Sequence, residues 1–312
     1  MSNLVLIFVC LVLGIFIKRT GRFPLTTPQS LNSFIIFISL PSLILTQVPK
    51  LFLSATWSWA LVVPVSMAWL LFGGSWLTLR WLGKRRGWSP ARTGALILTA
   101  GLGNTSFVGF PILEAMLGTE AIPWAVLVDQ LGSFLVLATL GIFVATSYGR
   151  PRDGIARSPL RQVVTFPPFL ALLTSLGLGL IGIPLETTME TVLSRLASTL
   201  VPLALVGVGF QLKVSPAILR RYGRPLAIGL SYKLFLAPLL LAVFYIEVMG
   251  QNDFVVRITI LEAAMATMIT AAVIAGEFSL DEELANLMVG VGIPLSLVTV
   301  PLWNYCLGFW LA

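Results

Sequence analysis

Apolar residues run along this chain in long blocks, separated by short polar clusters. A helix needs about 20 mostly apolar residues to cross a bilayer. Ten blocks reach that length, some only with their flanks: roughly 3–17, 28–49, 55–81, 92–117, 120–147, 163–183, 187–211, 225–248, 255–276 and 283–311. Most block ends carry turn chemistry, as in Thr20-Gly21-Arg22, Gly87-Trp88-Ser89-Pro90, Gly149-Arg150-Pro151 and Gly223-Arg224-Pro225. Trp57, Trp59, Trp81 and Trp88 fall at block ends, where indole rings anchor helices at the interface. The first block has the length of a secretory signal core, but Lys18 and Arg19 follow it instead of preceding it. It therefore reads as a short first helix. The pattern predicts an all-α integral membrane protein with ten transmembrane helices, numbered here as segments 1 to 10.

Composition agrees. Of the 312 residues, 57% are hydrophobic and 11% charged, whereas a soluble domain carries about a quarter charged residues. The net charge of +7 could suggest nucleic acid, but the basic residues are placed otherwise. Lys18, Arg19 and Arg22 follow segment 1. Arg80, Lys84, Arg85, Arg86 and Arg92 follow segment 3. Arg150, Arg152, Arg157 and Arg161 follow segment 5, and Lys213, Arg220, Arg221 and Arg224 follow segment 7. With alternating helices these all face one side, leaving only Lys50, Arg195, Lys233 and Arg257. The positive-inside rule makes that side cytoplasmic and puts both termini outside, in a multi-pass protein of the inner (plasma) membrane. The connection carrying Glu277, Asp281, Glu282 and Glu283 has no base, but acids weigh little in that rule. No nucleic-acid partner is expected.

A shift of about 161 residues lays Pro41 on Pro202, and Leu40-Pro41-Ser42-Leu43 on Val201-Pro202-Leu203-Ala204. It also lays segment 4 on segment 9. The predicted halves are 1–155 and 156–312, with five helices each. An odd count forces the second half to insert upside down, and inverted repeats of this kind build two gates around one central site in secondary transporters.

Candidate chemistry clusters at mid-membrane. Segment 4 reads Ala100-Gly101-Leu102-Gly103-Asn104-Thr105-Ser106-Phe107-Val108-Gly109-Phe110-Pro111. Proline removes a backbone donor and glycine weakens a helix, so the helix should break here. Unsatisfied backbone in hydrocarbon costs several kcal/mol per group, so a break survives only when buried in protein or lining a wet cavity. Half-helix N-termini favour an anion and free carbonyls favour a cation. Asn104, Thr105 and Ser106 add polar ligands, and the alternative is a proline kink packed by small residues. Segment 9 carries Glu262, Met265, Ala266, Thr267 and Thr270 near its centre. An intramembrane acid is costly and marks function by default: Glu262 binds sodium, carries a proton, or pairs with Arg257. Asp129, with Ser133 one turn on, couples to a proton, coordinates a cation or ties helices together. Lys233 either pairs with an acid, attracts an anionic substrate or snorkels outward. Glu114 is expected at an interface. Cys10 and Cys306 read as small apolar residues, bridged only if their helices touch. The chain has no histidine, no phosphate-binding glycine loop and no zinc spacing, which argues against a triad hydrolase, a primary pump and a metalloprotease. No catalytic site and no organic cofactor are expected.

Gly103 to Pro111 resembles the segment 4 signature of the auxin efflux carrier family, bacterial branch. Ser279 to Pro301, with Ser296-Leu297-Val298-Thr299-Val300-Pro301-Leu302-Trp303, resembles its last helix, and Asp129 matches a segment 5 acid of the family. The resemblance spans the chain. It implies two inverted five-helix repeats in which helices 4 and 9 unwind and cross. Helices 1, 2, 6 and 7 form a scaffold, and helices 3–5 and 8–10 form a moving transport domain. It implies small organic anions as substrates (carboxylates or auxin-like acids) and a homodimer. Ala266 stands where many members have proline, so the second break is expected to be shallower or satisfied differently. Glu262-Ala263-Ala264-Met265 is similar to the sodium-ligating stretch of the bile acid:sodium symporters, which share the fold. It implies a possible sodium ion at Glu262, Asn104 and Thr105.

The expected function is secondary transport of a small organic anion, either coupled to sodium or protons or as a uniport. Asn104, Thr105, Ser106, Gly109, Pro111, Met265, Ala266 and Thr267 would face the substrate. Glu262, Asp129, Ser133 and Thr270 would sense the ion, and Lys233 would act as charge partner. The competing classes are a bile-acid-type sodium symporter and a ligand-binding receptor or channel.

Overall fold

The computed structural model describes residues 2–54, 59–150, 165–182, 185–211 and 216–311. Trp57, Arg152, Arg157, Arg161, Lys213 and the repeat boundary at 155/156 lie outside them, as do the side chains of Lys50, Trp59 and Arg220. Among the described residues every regular element is helical. Six helices among the described residues are long and apolar enough to cross a membrane: Thr27–Pro49, Leu61–Arg86, Thr119–Tyr148, Thr187–Phe210, Arg221–Val248 and Glu282–Trp310. Thr105–Leu117 and Pro167–Ile181 are shorter apolar helices. Large apolar side chains such as Phe16, Leu77, Val298 and Phe309 lie on the outside, as lipid requires and water does not tolerate. This is an integral membrane protein.

The chain forms two compact units. Unit 1 comprises Met1–Ser58, Ser106–Val126 and Arg161–Leu212. Its helices are α1 (Ser2–Thr20), α2 (Thr27–Phe34), α3 (Leu40–Ser54), α6 (Phe110–Leu117), α9 (Pro167–Ile181), α10 (Thr187–Ala197) and α11 (Leu200–Gln211). Between α2 and α3 the helix widens over Ile35–Ser39 into a π turn and then continues. Small residues set the spacing of α1 and α11. A Cβ on Gly14 would strike the Val206 carbonyl, and one on Gly209 the Leu11 carbonyl. Close backbone approach at glycine is how helices associate where no hydrophobic force separates helix from lipid. Hydroxyls add the remaining links: Ser39 Oγ and Thr199 Oγ1 lie 2.7 Å apart, and Ser175 Oγ donates to Ile44 O at 3.2 Å.

Unit 2 comprises Trp59–Thr105, Leu127–Leu160 and Lys213–Ala312. It contains α4 (Trp59–Arg86), α5 (Pro90–Gly101), α8 (Ile142–Tyr148), α12 (Pro216–Ser231), α13 (Ala237–Ala242), α14 (Phe254–Ala263), α15 (Ile269–Glu277) and α16 (Glu282–Trp310). The helix α7 (Ile122–Leu127) leads into it. The N-termini of α5, α14 and α16 are capped by Ser89, Asp253 and Asp281, whose side chains accept from Arg92, Val256 and Leu284 N–H. Arg92 then ties α5 to the start of α16 through Asp281 at 3.1 Å. Inside, Ser75 Oγ donates to Ile97 O at 3.1 Å, Tyr232 Oη to Leu71 O at 2.8 Å and Tyr245 Oη to Val63 O at 3.2 Å. Single π turns occupy Val128–Phe134 and Tyr232–Leu236. These wide turns recur at functional positions because the extra residue re-aims the side chains around it. They hold Asp129 and Lys233. Cys10 is buried, Cys306 is exposed, and both are free thiols.

Candidate functional site

Segment 4 breaks where its glycines and polar residues predict. α5 stops at Gly101, Leu102 turns extended (φ −120°, ψ 124°), and helix resumes at Thr105. Segment 9 breaks too. α14 ends at Ala263, Met268 is extended (φ −63°, ψ 127°), and α15 starts at Ile269. The second break is not shallower for lacking proline at Ala266; it is satisfied differently. The two open stretches pair as a short antiparallel bridge, Gly103 opposite Thr267. Asn104 N–H donates to Ala266 O at 2.7 Å, and Met268 N–H donates to Leu102 O at 3.0 Å. Thr267 Oγ1 donates to Thr99 O at 2.8 Å. Donors freed by one break are thus met by carbonyls freed by the other, which is what a non-helical stretch at membrane depth requires.

Three ionisable groups gather around this bridge. Lys233 is fully buried and does not snorkel; its Nζ donates to Ala263 O at 2.7 Å, on the broken end of α14. Gly103 lets the amine approach, since a Cβ there would lie 3.2 Å from Nζ and 3.3 Å from Glu262 O. Glu262 is also fully buried, and neither carboxylate oxygen has a hydrogen-bond partner among the described residues. Arg257 is not its partner: that guanidinium donates to Asn304, to Oδ1 at 2.9 Å and to the carbonyl at 3.3 Å. Asp129 accepts from Thr105 Oγ1 at 2.5 Å and from Gln130 Nε2 at 2.6 Å.

Asn104, Thr105, Glu262, Met265, Ala266, Thr267, Asp129, Ser133 and Lys233 are all buried in unit 2. Thr270 is exposed on α15 and stands apart from them. Ser106, Gly109 and Pro111 belong to unit 1. There Pro111 lines a cavity of about 250 Å³ with Thr46, Gln47, Ser194, Ser198 and the half-buried Glu114. Two contributors were passed over in the sequence. Gln130, beside Asp129, is a second uncharged polar group in an apolar block and could have been noticed. Ala263 contributes only its carbonyl, and side-chain chemistry gives no sign of that.

Mid-course breaks with buried charge against them are the arrangement that forms the central sites of many secondary transporters. A family model described as "Membrane transport protein" matches residues 1–304, and the chain belongs to that family, the one its residues resemble. It is 28% identical over 302 residues to an uncharacterized transporter of Methanothermobacter thermautotrophicus, covering 96% of each chain. It is 27% identical over 313 residues to an uncharacterized transporter of Methanocaldococcus jannaschii, covering 98% of each. The protein is a multi-pass membrane transporter and not an enzyme.

Proposed function

We propose that the chain is a secondary transporter of a small organic anion of the carboxylate class, driven by protons through alternating access. The observation that carries this is the pairing of the two breaks, Gly103 opposite Thr267, with the Lys233 amine against the broken end of α14. Half-helices resume at Thr105 and Ile269, so their N-termini and the amine favour an anion. Charge counting favours a proton as the coupling ion. With all three groups ionised, Asp129, Glu262 and Lys233 sum to −1, and a substrate carboxylate would make −2. Uncompensated buried charge costs several kcal/mol per ion, so the anion and a proton bind better together than apart.

Sodium fits less well. Its oxygen ligands would be Glu262, the break carbonyls, Asn104 and Thr105. Ala263 O is already engaged by Lys233, and Thr105 Oγ1 by Asp129. The Lys233 amine already supplies a positive charge at the broken end of α14.

The ten-helix inverted repeat is part of the same proposal. In a two-fold repeat, residues on the axis touch their own mates. Ser39 meets Thr199, Leu71 meets Tyr232 and Gly103 meets Thr267, at offsets of 160, 161 and 164 residues, close to the offset of the sequence repeat. Both termini would lie outside the plasma membrane. An elevator would move helices 3–5 and 8–10 against a scaffold of helices 1, 2, 6 and 7. In support, unit 1 holds segments 1, 2, 6 and 7, and unit 2 holds segments 3, 8, 9 and 10 with most of segment 5.

The test is uptake of radiolabelled malonate or an aryl acetate by proteoliposomes under an imposed pH gradient, with sodium replaced by N-methylglucamine. Uptake against the gradient without sodium is expected, falling at least tenfold in Glu262→Gln. A sodium requirement, with sodium-specific thermal stabilisation lost in Glu262→Gln, would make it a bile-acid-type symporter. Binding without accumulation would make it a receptor or channel.

A further inference from the structure

Unit 2 has concave features of its own, along α4 and α12. Where α4 ends and α12 begins lies a hollow of about 500 Å³ lined by Arg86, Trp88, Arg221, Arg224 and Pro225. A second hollow of about 460 Å³ is bounded by Leu79, Leu82, Ala227, Ile228, Ser231 and Leu236. The two share helix faces. Leu79, Leu82 and Arg86 recur at intervals of three and four on α4, and Arg224, Ile228 and Ser231 at four and three on α12. At 1.5 Å per residue the basic mouth therefore lies about 10 Å along the helices from the apolar trough. Tyr232, whose hydroxyl donates to Leu71 O at 2.8 Å, also lines the apolar trough.

The mouth is built for phosphate. Arginine is the side chain whose planar fork matches phosphate oxygens, and three of them line this hollow. Arg221 is shared with the exposed Glu283 at 3.5 Å. Among the described residues no acid pairs with Arg86 or Arg224. Trp88 adds a half-buried indole of the kind that sits at headgroup level. A soluble phosphate would leave the trough unused, and a zwitterionic lipid would gain little from three arginines.

We propose that this groove binds one anionic phospholipid, with the phosphate among Arg86, Arg221 and Arg224 and an acyl chain along Leu79, Leu82, Ile228 and Leu236. Basic pockets between transmembrane helices hold lipid headgroups by the same chemistry.

The test uses the full-length protein, delipidated in detergent and supplied with phosphatidylglycerol, phosphatidylcholine or sn-glycerol 3-phosphate. Retention is read by native mass spectrometry and stability by thermal unfolding. Phosphatidylglycerol should remain bound and raise the melting temperature; phosphatidylcholine should do neither. Retention should fall at least tenfold in Arg86→Gln/Arg221→Gln/Arg224→Gln. It should be unchanged in Arg19→Gln/Arg22→Gln/Lys84→Gln, which removes the same charge from exposed positions elsewhere. Ser231→Trp, which fills the trough, should also cut retention with the far-UV circular dichroism unaltered. Equal retention of the two lipids, or full retention in the triple variant, overturns the proposal. Equal stabilisation by glycerol phosphate, indifferent to Ser231→Trp, also overturns it and assigns the mouth to a soluble phosphate. Should the triple variant not fold, the lipid comparison on the unaltered protein and Ser231→Trp decide the matter.

Discussion

Lys233 and Glu262 are opposite charges taken out of water in one small volume, and removing either strands the other. Loss of one member of a buried pair costs about 3–5 kcal/mol. Lys233→Met should therefore lower stability in detergent by that order, measured by thermal or chemical unfolding. Lys233→Met/Glu262→Gln should recover most of the loss, because no lone charge remains. Glu262→Gln alone should also lower stability, because it strands the Lys233 amine, and should abolish proton-driven uptake. Gly103→Ala tests how closely the amine must approach. Its Cβ would crowd Nζ and the Glu262 carbonyl, so uptake should fall several-fold with the protein still folded. Both charged residues stood out in the sequence, Lys233 as the only base deep in an apolar block and Glu262 as an acid within one. That both lie against Gly103 did not stand out. They lie on different helices, and the contact between them and Gly103 is made by tertiary packing across more than a hundred residues.

The paired breaks are one element made from two segments, and each half of the bridge lacks partners without the other. Thr267→Val deletes the hydroxyl that donates to Thr99 O and should cost about 1 kcal/mol, the net worth of a buried hydrogen bond. The amides of Asn104 and Met268 should exchange hydrogen slowly although neither sits within an α-helix, and Thr267→Val should speed both. In unit 1, Gly209→Leu should do more damage than any polar change, since its side chain would enter the Leu11 carbonyl and force α1 from α11. The first break was legible because glycine, proline and polar residues crowd together in an apolar block. The second was half-legible, since Ala266 offers no breaker and the opening depends on carbonyls supplied by segment 4. The π turns at Asp129 and Lys233 were not legible at all. One extra residue in a turn shifts the apolar pattern by less than a block of nearly continuous hydrophobicity can register.

For the whole molecule, block length and charge asymmetry were enough to read a multi-pass membrane protein, because a bilayer imposes length and polarity on every crossing. Block length and charge alone could not separate two compact units interleaved along the chain, since each collects pieces from both halves. If the moving helices carry the bridge as one body, a cysteine pair locking Leu102 to Met268, whose backbones are bonded across it, should leave uptake intact. Locking that halts uptake would mean that the breaks part during the cycle. The same bridge bears on how the protein is made. Asn104 leaves the ribosome 162 residues before its acceptor, Ala266. At about 5–20 residues per second that is a wait of roughly 8 to 32 seconds. Through it, the opened backbone of segment 4 at Leu102 and Asn104 has no route to its final bonds. It must be sheltered by the insertion machinery or kept at the water's edge, so the fourth helix enters the membrane early and finishes folding near the end of synthesis.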